Sequence, residues 1–127
     1  MKKHIKIQSD IYPVKFHILL DFKDITTLKK CIKFPKKETV TEVHKLIDEL
    51  DLDAAHGYTL MHKGNIFVMV KEFFSSPECY DTLCHELIHA VNMSAEYLGI
   101  TYSKESEEYY AYLYGFLMRK TMEQTRY

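Results

Sequence analysis

Cys84-His85-Glu86-Leu87-Ile88-His89-Ala90-Val91-Asn92 is the stretch on which the reading of this chain turns. It holds His-Glu-x-x-His in an apolar setting. On an α-helix, positions i and i+4 lie about 40° apart around the axis, so His85 and His89 share a face. Two imidazoles one turn apart can hold one zinc ion. Glu86 is turned about 100° from His85. That is too far round for an easy ligand and near enough to touch a water on the metal. A carboxylate in that place is a general base, and water on zinc ionises near neutral pH. The motif predicts a zinc-dependent hydrolase, with His85 and His89 as metal ligands and Glu86 as the catalytic base.

The flanks agree with a helix. Ser76 is a good N-cap and Pro77 a good first helical residue. Gly99 is the natural residue to follow the last turn. Tyr80, Leu83, Leu87, Val91 and Leu98 form an apolar face, and His85, His89, Asn92 and Glu96 lie on another. Upstream, Tyr58 to His62 and Ile66 to Val70 read as strands joined by a turn with Gly64-Asn65 at its centre.

Further upstream, Thr39-x-x-Glu42 reads as a capping box opening an amphipathic helix through Val43, Leu46, Ile47 and Leu50. Asp24 caps a short helix through Ile25, Leu28 and Ile32 that ends before Pro35. Val14, Phe16, Ile18 and Leu20 alternate as a half-buried strand. The stretch from His4 to Asp10 is a weaker edge strand. Downstream, a last helix is expected from about Ser103 to Gln124, its inner face formed by Ala111, Tyr114, Gly115, Met118 and Met122. This layout is an α+β domain over residues 1–127, with helices segregated against a short sheet.

Two histidines do not complete a catalytic zinc site, which usually has three protein ligands and an open position. No histidine follows His89, so the third ligand is sought among the carboxylates. Glu96 lies roughly 10 Å further along the same helix axis. Glu105 is too early in the last helix to be well held, and Glu123 is near a fraying end. Glu107 and Glu108 remain, and periodicity does not separate them.

His85-Glu86-Leu87-Ile88-His89-Ala90-Val91 resembles the active-site helix of zincin metallopeptidases, above all the thermolysin-like gluzincins. Glu108-Tyr109-Tyr110-Ala111-Tyr112 is similar to the Glu-x-x-Ala-Tyr pattern of very small gluzincins and of predicted metallopeptidases of phages and mobile elements. The resemblance spans about residues 58–118. It implies a small zincin-like domain, one Zn2+ held by His85, His89 and Glu108, and peptide-bond hydrolysis by a zinc-bound water that Glu86 activates. It implies a peptide or protein substrate. The hairpin has two readings: it completes the sheet, or, as zincin-type edge strands do, Ile66 to Val70 pairs with an extended substrate. Tyr112 is a candidate for stabilising the oxyanion, against the simpler reading that the tyrosine-rich helix is packing. The other histidines (His4, His17, His44, His56, His62) read as surface or hydrogen-bonded side chains. The alternative reading is a catalytically inactive zincin-fold binding protein, encoded by a phage or mobile element, that engages a host partner.

The totals exclude other classes. Among 127 residues, hydrophobic types make up 46%, enough for a core. No apolar run reaches the roughly 18 residues of a membrane span, and no apolar segment follows Lys2 and Lys3 as in a secretory signal. The net charge is −1, with lysines and arginines spread along the chain, which argues against a nucleic-acid partner. Three cysteines without scaffold density point to a reducing compartment, so a cytoplasmic location is expected. The tail after Met118 is a candidate for folding back over the site.

Overall fold

The computed structural model describes residues 4–9, 12–22 and 24–125. Its elements are β1 (His4–Gln8), β2 (Lys15–Leu20), α1 (Ile25–Cys31), α2 (Lys37–Asp48), β3 (Gly57–His62), β4 (Asn65–Val70), α3 (Pro77–Tyr97) and α4 (Glu107–Gln124). The fold is mixed α+β: one four-stranded sheet in the order β1-β2-β4-β3, with four helices. The β1–β2 and β3–β4 pairs are antiparallel, and β2 runs parallel to β4. Asp10, at the end of the expected first strand, lies outside the described residues.

Helices cover both faces of the sheet rather than one. Ile5, Ile7, Phe16, Ile18, Leu20, Ile66, Val68 and Val70 pack with α3 and α4 through Leu83, Leu87, Ala90, Leu113 and Leu117. Leu19, Phe67 and Met69, on alternate positions, pack with α1 and α2 through Leu28, Val43 and Ile47. So β2 and β4 are buried on both sides, and β2 is not the half-buried strand that its alternation predicts. Alternation identified the Val14–Leu20 face correctly. It missed that His17 and Leu19 would also be covered.

Helix ends follow local chemistry. Asp24 accepts a hydrogen bond from the Thr27 amide at 2.7 Å, and that bond holds its carboxyl below the ordinary carboxylate range. Ser76 accepts from the Cys79 amide and Pro77 opens α3, as expected. Gly99 takes φ 73°, and the bonds Ile100 N to Ala95 O and Gly99 N to Glu96 O close the end of α3 in a Schellman motif. The capping box at Thr39 is not used: α2 begins at Lys37, two residues earlier, with Lys36 at the N-cap. The β3–β4 turn also differs by one residue. Asn65 pairs with His62, so Lys63 and Gly64 form the turn, with Lys63 at φ 55°.

The last helix departs most from expectation. It starts at Glu107, and its buried residues are Leu113, Leu117 and Thr121. Ala111 and Gly115 are exposed, and nothing lies within 4 Å of a Cβ placed at Gly115. The two leucines, one turn apart, bury far more apolar area than alanine and glycine would, so they set the inward face. Residues 118–124 continue α4, and the end of the tail, residues 126 and 127, lies outside the described residues.

Candidate metal centre

His85 and His89 stand on the solvent side of α3, away from Leu83, Leu87 and Ala90, which face the sheet. Their Nε2 atoms converge to 3.2 Å, with the rings 75° apart and their centroids 4.9 Å apart. Two nitrogens bound to one tetrahedral zinc at about 2.05 Å stand roughly 3.3 Å from each other. The pair is thus spaced as one edge of a zinc tetrahedron. Among the described residues, His85, Glu86 and His89 form the one group of at least three potential ligands whose donor atoms lie within 4.8 Å of one another.

Glu86 is the odd member. Both histidines are exposed, whereas Glu86 is 7% exposed. It points at the β3 edge of the sheet. The Thr59 hydroxyl stands 2.8 Å from Glu86 Oε1 and 3.1 Å from its backbone carbonyl. That fixes one carboxylate oxygen and leaves Oε2 3.9 Å from His85 Nε2. A buried carboxylate is costly without a hydrogen-bond partner, and Thr59 provides one. Space for the side chain comes from Gly57. A Cβ there would stand 2.8 Å from Glu86 Cγ, 2.9 Å from Thr82 Cγ2 and 3.2 Å from the Met69 carbonyl oxygen. Neither Gly57 nor Thr59 belongs to any motif in the sequence. The alternation Gly57, Thr59, Met61 was the available signal: it puts all three on the α3 side of β3.

The arrangement has no carboxylate from α4. Glu107 and Glu108 are exposed in the first turn of that helix. Glu108 lines a cleft with Tyr12, Tyr109 and Tyr112 instead, and is not brought into the His85–His89 group. Tyr112 is 51% exposed and stacks on Phe116. Besides Leu113 and Leu117, tyrosines tie α4 to the motif helix. The Tyr109 and Ser94 hydroxyls meet at 2.6 Å, and burial raises the Tyr109 phenol. The Tyr114 phenol is pushed up to about 12, first by burial and then by its bond to the Cys84 thiol.

The remaining predicted features separate clearly. The strand Ile66–Val70 has β2 on one side and β3 on the other, so it has no edge for a substrate; the open edge beside Glu86 belongs to β3. His17 is buried and hydrogen-bonded to Asn65, and His62 pairs with Glu42 on α2. Cys31, Cys79 and Cys84 are free thiols. Among the described residues, no helix is long and apolar enough to cross a membrane.

No protein-family model, curated protein or solved structure matches this chain.

Proposed function

We propose that the protein is a zinc metallopeptidase of zincin-like fold, with His85 and His89 as metal ligands and Glu86 as general base. The observation that carries this reading is the pairing of a 3.2 Å imidazole edge with a carboxylate anchored by Thr59 on its far oxygen. Zinc, when bound, supplies an acidic water and polarises the substrate carbonyl. Glu86 Oε2 takes the proton of the attacking water and hands it to the departing amine. The Thr59 bond keeps Oε1 occupied, so the free oxygen is the one on the histidine side. An extended peptide pairs with the open edge of β3, which puts the scissile bond beside Glu86. Glu108, the third ligand implied by the gluzincin resemblance, is proposed to join on metal loading by leaving the tyrosine cleft. Support for that role is the exposure of its side chain in the first turn of α4.

A second reading is favoured by the position of Glu108: a zincin-fold binding protein, catalytically silent, that engages a protein partner. One experiment separates them. Purified protein is assayed for zinc content, then for cleavage of an unstructured protein with and without chelator. The peptidase reading expects one zinc per chain and cleavage that chelator abolishes and Glu86→Gln removes without loss of zinc. Bound zinc without cleavage selects the binding protein. Absence of zinc binding overturns the metal site itself.

A further inference from the structure

The polar end of the sheet has no part in the His85–His89 site. Strand register sets Gln8, Lys15 and Asn65 side by side across β1, β2 and β4, and sets Lys6, His17 and Phe67 in the neighbouring row. Residues two apart on a strand share a face, so these six lie on the face that α1 and α2 cover further along. There the face is apolar, with Leu19 and Met69 packed against Leu28, Val43 and Ile47. Here lysine, glutamine and asparagine take over, and the connection from α1 to α2 flanks them.

A cleft of about 440 Å3 opens at this end, its polar lining being Gln8, Lys15, Lys36, Thr39 and Asn65. Phe34 and Pro35 form an apolar wall. A second hollow of about 300 Å3 shares Gln8 and Lys15 with it and extends to Lys6 and His17. Among the described residues, no carboxylate lines either. Asn65 Oδ1 already accepts from His17 Nε2 at 3.2 Å, so its NH2 group is left to donate. His17 is locked in turn by stacking on Phe67, with centroids 4.7 Å apart. The polar lining of the larger cleft is therefore two ammonium groups and neutral side chains able to donate. Charge is also divided along the sequence. Through Lys45 there are 11 basic and 5 acidic residues, and beyond it 6 basic and 13 acidic. A net charge of −1 hides that separation.

We propose that this cleft binds a small organic anion: a carboxylate or phosphate monoester carrying a flat apolar group. Lys15 and Lys36 neutralise the anion, Asn65 and Thr39 donate to its oxygens, and the flat group lies against Phe34 and Pro35. The volume lies within the usual range for small-molecule sites. The site is independent of the metal centre, since α3 and α4 pack on the opposite face of the sheet.

The test is a titration of the full chain with phenyl phosphate, benzoate and neutral benzyl alcohol, followed by backbone amide resonances. Either anion should move Gln8, Lys15, Thr39 and Gly64, and the two anions separate a phosphate from a carboxylate preference. Lys15→Gln with Lys36→Gln, both at exposed positions, should weaken the response at least tenfold, and added salt should weaken it in the wild type. Equal binding of benzyl alcohol, an unchanged titration in the double variant, or no response to either anion overturns the proposal.

Discussion

Gly57 and Glu86 meet so closely that the missing side chain of one makes room for the carboxylate of the other. The Cβ of any other residue at position 57 would stand 2.8 Å from Glu86 Cγ and 3.2 Å from the Met69 carbonyl oxygen. The carbonyl belongs to a central strand and cannot swing aside. Gly57→Ala is expected to destabilise the fold by about 1–3 kcal/mol and to displace Glu86. Urea unfolding measures the first effect. For the second, on the proposed reading, peptidase turnover should fall while zinc content stays at the wild-type level.

Thr59 should act on Glu86 alone. Thr59→Val keeps the shape of the side chain and removes the 2.8 Å bond to Oε1. A hydrogen bond to a charged group is worth about 1.5–3 kcal/mol, so kcat should drop roughly tenfold to hundredfold. KM and zinc affinity should barely move. Unchanged kcat in an active preparation would remove Thr59 from the site.

On the proposed reading, zinc binding should depend on both histidines and on Glu108. His85→Ala and His89→Ala are each expected to abolish stoichiometric zinc by metal analysis. Glu108→Gln should weaken zinc at least tenfold, with Glu107→Gln near wild type. Wild-type affinity in Glu108→Gln would leave Glu108 in the tyrosine cleft, as the structure has it, and would favour the binding-protein reading.

His17 should make stability depend on pH. Burial, which outweighs its bond to Asn65, lowers its pKa from 6.5 to about 4, with nearby His4, Lys6 and Lys15 adding to the shift. Between those two values the unfolded chain binds the extra proton and the folded chain does not. The His17 contribution is therefore intact above pH 6.5 and is lost progressively as pH falls towards 4, by ~3 kcal/mol at most. Urea unfolding at pH 7, 5.5 and 4.5 should show this decline. His17→Phe should flatten it, because phenylalanine can still stack on Phe67 and does not titrate.

Gly99 tests the helix end in isolation. Its φ of 73° disfavours any side chain, yet nothing lies within 4 Å of a Cβ there. Gly99→Ala should cost about 1 kcal/mol in urea unfolding and leave zinc binding untouched. A neutral result would mean that the end of α3 relaxes freely.

Local chemistry determined much of this protein by itself. Ser76-Pro77 and Gly99 mark the ends of α3, Asp24 caps α1, and the i, i+4 spacing of His85 and His89 puts two imidazoles on one face. Each of these depends on residues within a turn or two, so the sequence alone suffices. What it left undecided depends on which surfaces meet. Parallel pairing of β2 with β4 makes Ile66–Val70 a central strand and leaves the open edge to β3. The inward face of α4 goes to Leu113 and Leu117, since packing against α3 rewards buried area over small size, and Ala111 and Gly115 turn outward. Glu86 has its environment from Gly57 and Thr59, 29 and 27 residues earlier in the chain. No periodicity within a helix can announce a partner on another strand. Tertiary packing set the surroundings of Glu86, and it placed Glu108 beside three tyrosines instead of two histidines.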